Sequence, residues 1–417
     1  MENINIYWVM IGISLIIILS FVYNAISRKT NIPAVILLIV TGFFIGQFIK
    51  IDEYKIKPIL EFLGNVGLIM IVLEAALDLH LEKKKFGLIV KAFTIAISLL
   101  LITSFGIAYG FHLYFEMTFV QALIYAIPLA IMSSAIIIPS VKNLSHEKKE
   151  FLIFEAAFSD IIGIMIFYFT IDSLRLTTAQ DIALNIAGNI GVTMLISIVL
   201  GFAMIYFVQK LEGDVKLFLP IAVLLLLYSV GKLFHLSSLI FVLAFGLMIN
   251  NSEVFFKGPL KKLISDIGID HLLKDIKLLV VESSFIIRTF FFIIFGMSIT
   301  LNGLNDPIIY LIGLIILVFM YGTRFGALKL FNSKQMKPAL LVAPRGLITI
   351  LLFYAIPKEL IAPQFNTAVL LLIIVVSSLV MMYGLIRYSD EEGVSEGEEI
   401  AKKNAELPAM GEATETE

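Results

Sequence analysis

The sequence predicts an all-α protein that lies in a membrane and crosses it about thirteen times. Three observations carry that prediction. The 417 residues are 59% hydrophobic and only 15% charged, against about 45–50% and 25% in soluble domains, and the mean hydropathy is +0.98. The apolar residues fall in runs of about 17–25, the length a helix needs to span hydrocarbon. The charges gather in the loops between those runs. The chain has no cysteine, which excludes disulfides, thiolate metal sites and a cysteine nucleophile. Its five histidines, His80, His112, His146, His235 and His271, sit mostly at segment ends and are too scattered for a metal site. No cofactor is expected. Glu2 stands where a signal peptide would be basic, and no small-residue cleavage site follows.

In order, the runs cover residues 5–24, 32–49, 59–79, 87–113, 119–141, 151–171, 183–208, 217–232, 235–250, 278–299, 307–327, 338–356 and 365–386. The eighth and ninth are separated only by a few residues around Lys232, and as one helix they would reduce the count to twelve. Loop charge decides the matter. Loops after odd-numbered spans, with the C-terminal tail, hold 22 Lys and Arg, including Lys83, Lys84 and Lys85. Loops after even-numbered spans hold 6: Lys50, Lys55, Lys57, Arg175, Lys232 and Lys358. Basic loops stay in the cytoplasm, so the N-terminus is expected outside and the C-terminus inside. Twelve spans would spoil this alternation.

Residues 251–277 form the longest internal loop. Its charges are mixed, and Leu260, Leu263, Ile264 and Ile267 recur at helical spacing, so it is expected to lie along the cytoplasmic interface. Residues 389–417 are acidic, rich in Gly and Ala and lack aromatics. They read as a disordered cytoplasmic tail with no folded regulatory domain.

A faint internal repeat runs through the chain. Span 3 ends in IVLEAALDLHL and span 10 in FIIFGMSITL. Each is followed by one plain span and then by a span interrupted by proline, SSAIIIPS at 133–140 and APRGLITI at 343–350. Seven spans separate the two copies, so they start on opposite sides. This is the pattern of inverted-topology repeats whose two broken helices cross at the midplane.

The sixth span, Phe151–Thr170, carries two acids, Glu155 and Asp160. An acid in a bilayer costs roughly 2.5–3.5 kcal/mol on insertion scales, so something must offset it. Asp160, beside Ser159, suits a hard monovalent cation (Na⁺, K⁺ or Li⁺) and can also carry a proton. It is the candidate ion site. Ser133 and Ser134 offer hydroxyl oxygens, and Pro139 is expected to break the helix there and free a carbonyl. Pro344 is expected to break span 12, and the Arg345 that follows needs a partner at that depth. Glu155 and Asp160 are roughly 140° apart around the helix. One acid can therefore neutralise Arg345 while the other faces the ion. Glu155 is assigned to Arg345 and Asp160 to the ion, although spacing alone leaves the reverse open. Glu74 and Asp78 share a face of span 3, and Glu282 and Arg288 sit in span 10. By the repeat these spans are equivalent and can be neighbours, which points to a structural Glu–Arg pair. The Thr289–Phe295 run reads as packing, and Gly42, Gly46 and Gly64 as close helix approaches.

At these residues the chain resembles the monovalent cation/proton antiporter superfamily, the Na⁺/H⁺ exchangers, over residues 5–387. EAAFSDIIGI at 155–164 is similar to the electroneutral exchangers' stretch of Glu followed, five residues on, by Asn-Asp. Ser159 stands in the place of that Asn. RGLITI at 345–350 resembles the Arg-Gly motif of their second broken helix. SSAIIIP at 133–139 differs from the usual Thr-Asp-Pro, because Ser134 occupies the place of the Asp. Serine pairs there resemble the potassium-efflux branch. The resemblance implies a homodimer in a bacterial inner or plasma membrane that serves pH homeostasis. Residues 1–387 would form the exchanger domain and 388–417 the tail. Spans 1–3 and 8–10 would dimerise, and spans 4–6 and 11–13 would form a mobile, ion-carrying core.

One pathway carboxylate implies that cation and proton bind by mutual exclusion, hence one-for-one, electroneutral exchange. A rival class is a transporter of organic anions on the same architecture, for which a free Arg345 would speak. An intramembrane protease or transferase needs a second catalytic Asp or a diphosphate-binding motif, and neither stands out. No enzymatic activity and no nucleic-acid partner are expected.

Overall fold

The computed structural model describes residues 6–30, 32–48, 53–79, 83–141, 144–174, 179–208, 218–233, 238–255, 266–298, 306–331, 336–362 and 365–388. Its helices are α1 (Ile6–Thr30), α2 (Ala34–Phe48), α3 (Glu53–Asp78), α4 (Phe86–Phe115), α5 (Phe119–Ala130), α6 (Ser134–Ser140), α7 (His146–Ser173), α8 (Ala179–Val208), α9 (Phe218–Leu233), α10 (Leu239–Asn250), α11 (Ser252–Phe255), α12 (Asp266–Met297), α13 (Pro307–Phe331), α14 (Met336–Leu341), α15 (Leu347–Tyr354) and α16 (Ala368–Tyr388). Seven helical stretches are long and apolar enough to cross a membrane, α5 and α6 counting as one, and four more are apolar but shorter. With α3 and the α14–α15 pair, the described residues form thirteen crossings.

α9 and α10 are separate helices, as loop charge requires. Residues 266–277 do not form a separate interfacial segment. They are continuous with the tenth span in the 32-residue α12, which rises about 48 Å and so outruns about 30 Å of hydrocarbon. Residues 256–265 of the predicted interfacial loop, and the predicted tail at 389–417, lie outside the described residues.

Packing sorts most helices into two groups. In one, α12 runs along α2 and α3, α3 along α10, and α10 along α8. In the other, α4 packs on α5 and α7, α13 on α4 and α16, and α14 on α13 and α16. The groups touch where α3 meets α7 and α15, and where α1 meets α6. Glycines set the closest approach in the first group. A Cβ on Gly42 would collide with the main-chain oxygen of Ile293, and one on Gly296 with that of Ile39. α2 and α12 therefore meet backbone to backbone, the use small residues have between membrane helices. Gly46 likewise faces the Met297 backbone, while Gly64 faces the Leu351 side chain.

The fifth and twelfth spans are both broken. The first unwinds at 131–133, between α5 and α6, and the second at 342–346, between α14 and α15. Pro344 lies in the second break. Pro139 does not lie in the first, which corrects the sequence expectation. It is the last residue but one of α6, where few helical bonds remain to be lost, and the proline nearer the break is Pro128, inside α5.

Candidate functional site

Unwinding a buried helix leaves backbone donors that must find partners. Three consecutive N–H groups at the first break find them on two other segments, α7 and the second break. Met132 N–H donates to Ser159 Oγ at 2.9 Å, Ser133 N–H to the Pro344 carbonyl at 3.0 Å, and Ser134 N–H to Asp160 Oδ2 at 3.0 Å. The bond from Ser133 to Pro344 joins the two breaks directly. Gly346 lets them come together, since a Cβ there would stand 2.7 Å from Ser133 Oγ and from Ile136 Cδ1. Ser133, Ser134, Ser159 and Asp160 are thus assembled at the crossing, and all four are buried.

The second break repeats this scheme. Ser377 Oγ in α16 accepts from Arg345 N–H at 3.0 Å, as Ser159 Oγ in α7 accepts from Met132. Outside the breaks, Thr103 of α4 meets its counterpart Thr323 of α13 at 3.1 Å. The inverted repeat read from the sequence is therefore present in the hydrogen bonding. Where α7 carries Asp160 after Ser159, α16 carries Ser378 after Ser377, so only one copy holds a carboxylate.

Three of the four half-helix ends at the breaks meet a charge of the sign their dipole favours. Asp160 lies at the start of α6. Arg345 lies at the end of α5, where its Nε donates to the Leu129 carbonyl at 2.6 Å and one terminal nitrogen donates to Ala343 O at 2.9 Å. At the end of α14, Arg324 donates from Nε to Ala339 O at 2.7 Å and from Nη2 to Val342 O at 3.2 Å.

Glu155 pairs with Arg324 and not with Arg345. The pair is bidentate, at 2.6 and 3.0 Å, and both side chains are buried. The reason is the angular separation already noted: Asp160 faces the crossing, and Glu155 faces α13 and α14. Arg345 sits at the crossing, within reach of both acids' charge but bonded to carbonyls. Sequence reasoning missed Arg324 because its place near the C-terminal end of span 11 put it among the loop cations. Its position inside the apolar run 307–327 was the available signal. Ser377 was missed as well; only the repeat could have pointed to it.

The charges of spans 3 and 10 do not join the site. Glu74 pairs with Arg288 at 3.0 Å, and Asp78 with Lys277 at 2.6 Å, both tying α3 to α12. Glu282 is exposed.

Asp160 is left with one oxygen free. Its Oδ1 is buried and takes no hydrogen bond, and the same is true of Ser133 Oγ and Thr349 Oγ1. Two clefts flank this region, and neither reaches Asp160. One, about 90 Å³, is lined by Ser20, Asn24, Arg288, Ala135 and Ser140, and Ala135 adjoins Ser134. The other, about 260 Å³, is lined by Asn65, Tyr168, Leu351, Tyr354 and Lys358, and Tyr168 is about two turns of α7 beyond Asp160. A buried carboxylate with an unshared oxygen, among hydroxyls and between two clefts, is equipped to take a small cation or a proton.

Comparison with known proteins agrees. The family model described as the transmembrane sodium/hydrogen exchanger matches residues 15–386. A probable Na⁺/H⁺ antiporter 2 of Methanocaldococcus jannaschii is 22% identical over 160 residues, which span 37% of this chain and 38% of that protein. The K⁺/H⁺ antiporter subunit KhtU of Bacillus subtilis is 24% identical over 331 residues, 73% of this chain and 74% of that one. The solved structure of the sodium proton antiporter MjNhaP1 from M. jannaschii at pH 8 superposes with a TM-score of 0.69, at 19% identity, covering 93% of this chain and 98% of that one. At that identity the likeness is one of fold. With a family model matched across nearly every span and the site built at the crossing of its broken helices, this chain belongs to the sodium/hydrogen exchanger family.

Proposed function

We propose that this protein is a secondary antiporter that exchanges a monovalent cation, Na⁺ or K⁺, for H⁺ by alternating access. The observation that carries the reading is the state of Asp160: one oxygen fixed by Ser134 N–H, the other buried without a partner. That oxygen is the seat of either ligand. Ser133, Ser134 and Ser159 supply neighbouring oxygens. Arg324 and Glu155 neutralise each other and take no part in binding.

Cation and proton carry the same charge, so both loaded forms of the core are electrically identical. The fixed charges cancel over a cycle, and exchange is electroneutral. The unloaded form leaves a bare carboxylate facing the barrier, which is costly in hydrocarbon, so it does not cross. Spans 4–6 and 11–13 move as the core against spans 1–3 and 8–10, which also form the homodimer interface. The two packing groups support this division. The N-terminus is outside, the C-terminus is cytoplasmic, and the protein resides in a bacterial plasma membrane. The organic-anion reading loses ground because the Arg345 guanidinium is committed to two carbonyls.

The test uses proteoliposomes with an internal pH dye and an imposed pH gradient. Na⁺, K⁺ and Li⁺ are added in turn. A cation-dependent proton flux in wild type, lost in Asp160→Asn, supports the reading and names the ion. No response to any cation overturns it.

A further inference from the structure

A polar cluster lies away from the crossing, at the end of α7 opposite its cytoplasmic start. Lys232, near the end of α9, sets its ammonium 3.1 Å from the centre of the Tyr168 ring on α7. Asp172, one turn beyond Tyr168, bears on the same ammonium through its charge. Tyr228, one turn before Lys232, donates to Asn65 Oδ1 of α3 at 3.2 Å. α9 packs on α3 and α10 of one packing group, and α7 belongs to the other. Tyr168 also lines the 260 Å³ cleft with Asn65 and Leu351.

We propose that Lys232 is a positioning residue for exchange: its contact with Tyr168 latches α9 to α7 and keeps the outer cleft, which ends at Tyr168, from opening as far as Asp160. A cation over an aromatic face is held more strongly when desolvated, and here both partners are largely covered. For the α7 group to slide, the ammonium must leave the ring. The contact therefore sets the ratio of inward- to outward-facing forms without touching the ion. Its charge also repels a cation approaching the closed cleft.

This inference rests on the alternating-access reading, and its test fails separately from that reading. The chain has no cysteine, so a single Leu351→Cys reports on the cleft. A membrane-impermeant maleimide is added from each side in turn. Lys232→Met or Tyr168→Leu should raise outside labelling about fivefold or more. Lys232→Arg and Tyr168→Phe, which keep the cation and the ring, should label like the parent. The Lys232→Met/Tyr168→Leu double variant should match the single variants. Equal labelling of Lys232→Met and parent overturns the latch, as does Lys232→Arg labelling as fast as Lys232→Met. Proton flux is measured in parallel. Faster labelling with no wild-type exchange leaves the latch standing and overturns the transport reading alone.

Discussion

Arg324 and Glu155, 169 residues apart in the chain, meet through two hydrogen bonds of 2.6 and 3.0 Å inside the group of helices that holds Asp160. The same guanidinium closes the end of α14. Removing one member of a buried pair strands the other charge and costs about 3–5 kcal/mol. Glu155→Gln and Arg324→Met should each lower the unfolding temperature in detergent, whereas exchange per folded molecule should fall less than tenfold. Glu155→Leu/Arg324→Met should recover part of the loss but not all, because Ala339 O and Val342 O lose their donor. A double variant no more stable than the singles would count against the pair.

Gly346 is where the second break lies against the first. Gly346→Ala must push Ser133 or Ile136 aside. A forced shift in a packed interior costs about 1–3 kcal/mol. The protein should still fold, with exchange at least tenfold slower. Unchanged exchange in Gly346→Ala would mean that the bond from Ser133 to Pro344 is not needed for transport.

The thirteen crossings, the two breaks and the repeat were legible in the sequence because hydropathy, loop charge and the proline-bearing motifs all report on single segments. Pairing between segments was not. Glu155 and Arg345 lie on the two spans whose charges the sequence offers for pairing, but which base an acid meets depends on the rotation of α7 and the tilt of α13, and no local pattern encodes these. Pro139 misled for a related reason. A proline marks a helix that is weak, while the place where it opens is decided by who accepts the released donors. Here the acceptors are Ser159, Pro344 and Asp160, which hold open a stretch that contains no proline. The serines and Asp160 were legible because polar atoms are rare at that depth.

If proton and cation share Asp160, they compete. Lowering the pH should raise the apparent KM for the cation, approaching about tenfold per pH unit once the carboxyl is mostly protonated. Maximal rate at saturating cation should change much less. A KM independent of pH between 6 and 9, with pH acting on maximal rate alone, would mean that the proton binds elsewhere.

Electroneutrality has its own readout. With one titrating carboxylate, solid-supported membrane recordings should show no transport current, and an imposed potential should not alter cation-driven proton flux. Asp160→Asn should be inactive in both assays. A current that reverses with potential would require a second titrating group.

The backbone contact between α2 and α12 gives a prediction about stability. Gly42→Val and Gly296→Val each place a branched side chain against a main-chain oxygen, and each should lower the unfolding temperature more than Gly12→Val. A Cβ on Gly12 meets nothing within 4 Å.

The three N–H groups of Met132, Ser133 and Ser134 all point into protein partners. What this stretch can still present to a solute is carbonyl lone pairs and the Ser133 hydroxyl, which can accept as well as donate. Such a lining discriminates by sign before it discriminates by size: a carboxylate or phosphate arriving here would find no backbone N–H left to receive it.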